Sequence, residues 1–360
     1  MRLTPVLAAL LIAASAFAAD KEVRNVIVIG WDAAQRNHVH ELLASNSLPT
    51  LAALAKEGAL VDMTVSCGAT DTKAGWTQIL TGLAPGKSGV FSNGRFQPVP
   101  VGCSVFERLE QHFGASNIAT VAIVGKKGHV DAEPPQIIPF DTWVKREARQ
   151  KKIDKAKPGL GNLKGGTIFE SNGVKYVSTP GKPWFNACQR VDLWTNGLIE
   201  NDKVGSLALA ELEKRKGHRF FFFVHFAEPD HVGHRFGENS SEYSNGIISD
   251  DTWTGKIIAK LKELGLYDKT LIYVVADHGF NEGEKGHGYA PYVFVGTNDR
   301  KVNRNGDRLD VTPTVLKRFG VDLSTLQPAL DGIPLDQPAP ERPVVAPATA
   351  KKKNKKDTAK

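Results

Sequence analysis

The chain has 360 residues, 41% hydrophobic and 24% charged, with a formal net charge of +7 at pH 7. That length can bury a large core and allows one big α/β domain or two smaller ones. The charge sits mainly at the ends: residues 337–360 carry a net +5 and Arg2 a further +1, leaving +1 for residues 20–336, too little for an electrostatic footprint on DNA, so no nucleic-acid binding is expected.

The first nineteen residues, MRLTPVLAALLIAASAFAA, open on Arg2 and continue through an apolar run, Val6 to Ala16, too short to span a bilayer. They end on the small-residue site Ala16-Phe17-Ala18. This is the pattern of a signal peptide over residues 1–19, with a buried N-terminal helix as the weaker alternative. The mature protein is therefore expected to be exported, periplasmic or secreted. No other segment is long and apolar enough for a transmembrane span.

NVIVIGWD is a predicted strand that runs into Asp32. A helical pattern follows over residues 48–57. The stretch TDTKAGWTQILTGLAPGKSG carries a second helical pattern that ends at Thr81-Gly82. Thr72 thus falls at a helix N-terminus, where backbone N–H groups and the dipole favour an anion. Thr70 and Asp71 suit the N-cap equally well. Asn93 precedes Gly94 in SGVFSNGRF, an ordinary turn pair. In AIVGKKGHVD, Lys126 follows another predicted strand, where a solvated lysine pair would be unremarkable. Residues 133–194 hold the basic KREARQKKIDKAK and the Gly/Pro-rich PGLGNLKGGTIF. They are expected to form an inserted cap or surface subdomain, not a separate domain.

After a helical pattern at 203–216, RFFFFVHFAEPD runs into Asp230, with His234 four residues on. A helical pattern at 249–264 places Ile257, Ile258, Leu261 and Leu264 on one face. TLIYVVADHG then ends in Asp277 and His278. Such near-continuous apolar runs are the mark of strands covered on both faces. Their alternation with helices predicts an α/β fold with a mostly parallel central sheet and helices on both faces, over residues 20–336. Residues 337–360 are expected to be a disordered basic tail.

In such a sheet ligands bind beyond the carboxyl ends of the strands. Asp32, Asp230 and Asp277 should therefore meet on one rim with His234, His278 and His287. Any single acid there could be a helix cap. Three together repel and resist ionising unless cations sit among them. Oxygen and imidazole donors without thiolate suit zinc or manganese better than calcium. No Cys-x-x-Cys occurs; Cys67, Cys103 and Cys188 allow one disulfide and one leftover thiol.

In order and spacing, EPDHVGH, ADHG, KGHGY, DVTPTVLKRFGVD and DGIPL resemble the alkaline phosphatase superfamily. The likeness is closest to its nucleotide pyrophosphatase/phosphodiesterase and sulfatase-like branches, and it runs from about Val23 to Leu335. It implies two divalent metal ions, zinc first and manganese second. Asp32, Thr72, Asp277 and His278 would hold one, and Asp230, His234 and His287 the other. Thr72 precedes Gly82 by the same ten residues that separate the family's nucleophile from its Thr-Gly, which makes it the expected nucleophile. Asn93 falls where the phosphodiesterase branch keeps an Asn on a phosphoryl oxygen. Lys126 resembles both the sulfate-holding lysine of sulfatases and a lysine of phosphate monoesterases, although His129 stands one residue late.

What the resemblance implies is an exported two-metal hydrolase of small phosphoric esters, with a slight lean toward diesters and a covalent phospho-threonine intermediate. Trp76 and Phe91 are possible pocket walls or plain core aromatics. A phosphate monoesterase is the first alternative, then a sulfate-ester or phosphonate hydrolase on the same metals. The sulfatase route is weakened because Thr72-Lys73-Ala74-Gly75 departs from the Cys or Ser nucleophile with its following Pro and Arg. A non-catalytic exported zinc-binding protein is the alternative outside enzymes, but structural zinc sites are usually closed four-ligand sets. Nothing in the sequence bears on oligomeric state.

Overall fold

The computed structural model describes residues 23–150 and 167–343. The expected signal peptide, most of the basic tail and part of the KREARQKKIDKAK stretch lie outside them. No helix among the described residues is long and apolar enough to cross a membrane.

The strands are β1 (Asn25–Trp31), β2 (Ala59–Thr64), β3 (Ala119–Val124), β4 (Gln136–Pro139), β5 (Thr167–Ser171) and β6 (Val174–Thr179). They continue with β7 (Leu193–Thr195), β8 (Phe220–Phe226), β9 (Thr270–Val275), β10 (Tyr292–Thr297) and β11 (Gly306–Asp307). Eight of them form one sheet in the order β11-β2-β10-β9-β1-β8-β3-β7. At its centre β1 runs parallel to both β8 and β9, and β8 parallel to β3. β10 alone is antiparallel to its two neighbours.

The residue types explain the layering. Every residue of NVIVIGW in β1 and FFFFVHF in β8 is buried, as expected for strands with helices on both faces. β2 instead alternates between buried and half-buried positions, the period of a strand near a sheet edge. The registers align the strand ends. Trp31 pairs with Phe226, Gly30 with both His225 and Val275, and Val124 with His225. The next few residues of four parallel strands thus leave the sheet on one rim.

The helix Thr72–Thr81 lies under that rim with every residue buried. Gly75 permits this, because a Cβ there would come within 2.6 Å of Asp277 Cβ. The helix ends at Gly82, whose φ of 67° is a left-handed C-cap open to glycine at no steric cost. The helix expected from residue 249 begins at Ser241 and runs to Glu263. Ser240 caps it by accepting from the Tyr243 N–H. Its early turns keep Tyr243, Gly246 and Ile247 buried, with Gly246 against Pro229, so small and polar residues there carry packing that their composition hides.

The inserted region forms a separate three-stranded antiparallel sheet in the order β4-β6-β5. Asn172 and Gly173, both at positive φ, make the tight turn of the β5–β6 hairpin. The segment assigned to the insertion ends inside β7, which pairs with β3 in the main sheet. The one disulfide that the sequence allows does not form: all three cysteines are free. Cys103 packs in a small cluster with Leu83, Val90 and Val99, whereas Cys188 closes the short helix Phe185–Cys188 and Cys67 lies in the loop bound by Arg308.

Candidate active site

Most groups on the rim follow the carboxyl end of a strand. Asp32 follows β1, Lys126 follows β3, and Asp277 with His278 follows β9. After β8 the chain turns straight into the helix Glu228–Phe236, which presents Asp230 and His234 one helical turn apart. His287 comes from the loop that enters β10.

Around Thr72 the groups converge closely. His278 Nε2 lies 3.4 Å from Thr72 Oγ1 and 3.5 Å from both Asp32 Oδ1 and Asp277 Oδ2. On the other side, His234 Nε2 lies 3.5 Å from Asp230 Oδ1 and 3.2 Å from His287 Nε2. Two clusters thereby bring their donor atoms within 4.8 Å of one another: Asp230, His234 and His287, and Asp32, Asp230 and His278. The first is the second expected ligand set. The second cluster joins Asp230 to members of the first set, so the two sets adjoin through that carboxylate.

The donor set fits divalent cations. Each of the three histidines sets its Nδ1 against a backbone carbonyl: His234 against Lys285 O at 2.9 Å, His278 against Gly279 O at 2.9 Å and His287 against Thr70 O at 2.6 Å. A carbonyl only accepts, so Nδ1 carries the proton and Nε2 is left as a bare donor atom toward the centre. Two such Nε2 atoms, 3.2 Å apart, suit a shared cation. Asp230 Oδ1 and Asp277 Oδ2 are likewise buried without a hydrogen-bond partner, as oxygens awaiting a metal would be.

Electrostatics around the aspartates follow from burial and the Lys126 ammonium. Lys126 Nζ donates to Thr72 Oγ1 at 2.9 Å and pairs with Asp230 Oδ2 at 2.6 Å and Asp32 Oδ2 at 3.3 Å. Burial works to raise the Asp32 carboxyl, but Lys126 and the hydrogen bond from His225 hold it well below the usual range. Asp277 goes the other way, raised by burial and then by the Asp32 charge. Lys126 is pushed up to about 12, burial opposing and Asp32 and Asp230 prevailing. His278 is held well below its usual value by burial and then by His287.

The three candidates for the helix start take three different roles. Asp71 is the N-cap and accepts from the Ala74 N–H, and Thr72 is the first helical residue. Thr70 Oγ1 donates to His287 O, so Thr70 holds the His287 loop. Asn93 Oδ1 accepts from the Lys73 N–H at 2.8 Å, which fixes the amide and leaves its NH₂ as a donor. Lys126 is no solvated lysine: its side chain is 12% exposed. Trp76 is a core residue, fully buried, with its ring in the space that a Cβ on Gly30 would fill. Phe91 is half-buried beneath the Arg95 guanidinium.

Three further residues shape the site without a clear sequence signal. His225, fully buried inside β8, has Nε2 3.1 Å from Asp32 Oδ2; its trace is one polar residue in an otherwise apolar strand. Arg308, fully buried, donates to Gln78 Oε1, Asp277 O, Cys67 O and Ala69 O, tying the helix Thr72–Thr81 to the end of β9. Lys73 is buried beside Thr72, its ammonium donating to Gly128 O and lying 4.8 Å over the Phe96 ring. Lys182, returning from the insertion, sits over the same ring at 5.6 Å. Burial first, then Lys182, brings Lys73 down to about 8. Burial, Lys126 and Lys73 press His129 down to about 3. The flank of Thr72 away from the histidines is thus cationic.

Comparison with known proteins gives this arrangement a setting. The family model described as type I phosphodiesterase / nucleotide pyrophosphatase matches residues 26–329. The chain is 21% identical over 267 residues to the bis(5'-adenosyl)-triphosphatase of Mus musculus, covering 74% of this chain and 49% of that one. It is 26% identical over 129 residues to the steryl-sulfatase of Rattus norvegicus, covering 28% of this chain and 22% of that one. The chain thus spans about half, or less, of the length of these relatives. Among solved structures, a 2-O GAG sulfatase superposes with a TM-score of 0.54 at 12% identity, over 87% of this chain and 73% of its own. The lipoteichoic acid synthase LtaP from Listeria monocytogenes superposes with a TM-score of 0.51 at 13% identity, over 88% and 76%. Those two likenesses speak to the fold alone.

Proposed function

We propose, from the premise that the chain belongs to the type I phosphodiesterase / nucleotide pyrophosphatase family, that it hydrolyses small phosphoric esters through a covalent intermediate on Thr72. One observation carries the reading. Thr72 Oγ1 stands at a helix N-terminus, 2.9 Å from Lys126 Nζ and 3.4 Å from His278 Nε2, the two groups that also meet Asp32 and Asp230.

Asp32, Thr72, Asp277 and His278 would hold one divalent ion, and Asp230, His234 and His287 a second. When bound, such ions supply Lewis-acid charge that makes a hydroxyl nucleophilic at neutral pH. The chain's own groups do the rest. The helix beginning at Thr72 turns the positive end of its dipole toward the incoming phosphoryl group, although the N–H groups of Lys73 and Ala74 are taken by Asn93 and Asp71. Thr72 Oγ, its proton lost to solvent, attacks phosphorus as the bond to the leaving oxygen breaks, and that oxygen takes up a proton from water. Asn93, its carbonyl held by the Lys73 N–H, turns its NH₂ to a non-bridging oxygen, and Lys126 meets another. Water then cleaves the Thr72–phosphorus bond and restores the hydroxyl, releasing phosphate from a monoester substrate or a phosphate monoester from a diester.

A phosphate monoesterase is the second reading. It is favoured by the cationic flank of Lys73, Lys126 and Lys182, which suits a dianionic phosphoryl group better than an esterified oxygen. Export is part of the proposal and rests on residues 1–19; the mature N-terminus, read by mass spectrometry from the extracytoplasmic fraction, tests it. The activity is tested by kcat/KM for nitrophenyl phosphate and bis-nitrophenyl phosphate with zinc- or manganese-loaded protein. Turnover of neither ester, with metal bound, would end this reading. Faster diester turnover supports a phosphodiesterase, and faster monoester turnover the second reading.

A further inference from the structure

Lys126 touches both expected ligand sets at once. Its Nζ lies 2.6 Å from Asp230 Oδ2, in one set, and 2.9 Å from Thr72 Oγ1 and 3.3 Å from Asp32 Oδ2, in the other. The side chains of Asp32 and Asp230 are 0% and 4% exposed. Solvent therefore does little to screen what the ammonium does to them.

We propose that Lys126 and divalent metal compete for the same buried side chains, so that this lysine weakens the hold of the centre on its metal and stabilises the protein when metal is missing. The proposal rests on the metal-dependent reading above. Two physical effects act in one direction. The ammonium donates to Thr72 Oγ1, which an ion would need as a ligand, and neutralises the Asp32 and Asp230 carboxylates from their Oδ2 atoms while the Oδ1 atoms face His278 and His234. It also places a positive charge a few ångströms from any ion that binds, and that repulsion is strong where water is excluded.

Without metal, the same ammonium is the cation that Asp32 and Asp230 have. Removing it leaves buried carboxylates facing one another unpaired, which destabilises a fold strongly. With metal, the ammonium must give up the carboxylates and is free to meet a substrate oxygen. Lys126 then acts on catalysis and on metal retention with opposite signs. Losing it tightens the metal and harms turnover.

The test measures metal directly. Full-length parent, Lys126→Met and Lys126→Gln are loaded with zinc, and zinc transfer to a chromophoric chelator gives both the dissociation constant and the release rate. Working from the loaded side avoids any need for a stable metal-free variant. Lys127→Met, an exposed neighbour, controls for general surface charge, and Lys126→Arg keeps the charge. The expected result is zinc held at least tenfold more tightly in Lys126→Met and Lys126→Gln. Lys127→Met should match the parent, and Lys126→Arg should show no tightening. After chelation, the two neutral Lys126 variants should melt below the metal-free parent. Unchanged or weaker zinc binding in both neutral variants would overturn the competition while leaving a metal-binding parent, and the functional reading, intact. A parent that takes up no zinc or manganese would overturn both.

Discussion

The backbone N–H of Asn93 donates to Asp71 Oδ2 at 2.7 Å, while Asp71 Oδ1 accepts from the Ala74 N–H at 3.3 Å. One carboxylate thus caps the helix that starts at Thr72 and fastens the loop that carries Asn93. The Asn93 carbonyl returns the tie by accepting from Lys73 N–H. The expected nucleophile and the expected oxyanion donor are in this way one rigid unit, as groups acting on the same phosphoryl oxygens need to be.

Asp71→Ala should therefore do more than unravel a helix end. Loss of a cap acceptor costs about 1 kcal/mol, which for a domain of this size lowers the melting temperature by only a few degrees. The activity loss should be larger, about tenfold or more in kcat/KM, because Asn93 loses its anchor. Thermal melts and kinetics on the same preparation separate the two effects. A variant that melts lower yet turns over normally would reduce Asp71 to a simple cap.

Thr72→Ala removes the proposed covalent route, so kcat should fall by several orders of magnitude. The melting temperature should stay close to that of the parent, because only a small side chain is lost. Acid quenching of the parent in mid-turnover should trap a phosphoryl group on the peptide containing Thr72. Near-full turnover by Thr72→Ala would move the nucleophile elsewhere.

Much of this was legible in the sequence, for identifiable reasons. NVIVIGW, the run from Phe220 to Phe226 and TLIYVV announce central parallel strands because burial on both faces removes all polar alternation, and parallel strands in register bring the acids at their ends to one rim. The helix ending at Thr81-Gly82 was legible because only a left-handed C-cap asks for glycine there. Contacts made across long sequence separation were hidden. Nothing around Arg308 announces that it will bind Ala69 and Asp277 carbonyls. Lys182 reaches Phe96 only because the insertion folds back. Trp76 read as a possible wall because its partner, Gly30, is distant in sequence.

His225 supplies the third test. Its Nε2–H donates to Asp32 Oδ2 at 3.1 Å, fixing which carboxylate oxygen remains for metal, and loss of such outer partners typically lowers metal affinity or activity by about 10–100-fold. His225→Leu should show that loss in zinc affinity. His225→Gln, whose amide N–H can reach the same oxygen, should recover most of it. Both substitutions disturb the packing against Trp76 and Phe223, so stability alone does not distinguish them. Equal zinc affinities in the two variants would show that His225 only fills space.

The last test lies away from the metal ligands. Asp250 is fully buried on the helix Ser241–Glu263, with Oδ1 accepting from Asn201 Nδ2 at 2.7 Å and Oδ2 without a partner. Burial, with Glu228, Asp32 and Asp251 adding to it against the Asn201 hydrogen bond, raises its carboxyl well above the usual range. In the unfolded chain the group titrates near its ordinary value of about 3.9. Above that pH the unfolded state gives up its proton while the folded state keeps it. The native state then binds more protons, and stability falls as pH rises, by about 1.4 kcal/mol per pH unit across the window between the two values. Asp250→Asn mimics the protonated acid, retains an acceptor for Asn201, and has no proton to lose. It should match the parent near pH 4 and be the more stable protein at pH 7.5, as read from urea unfolding at both pH values. A variant less stable than the parent at pH 7.5, or one whose advantage does not grow between the two conditions, would mean that Asp250 is ionised in the fold and that its buried charge has a partner.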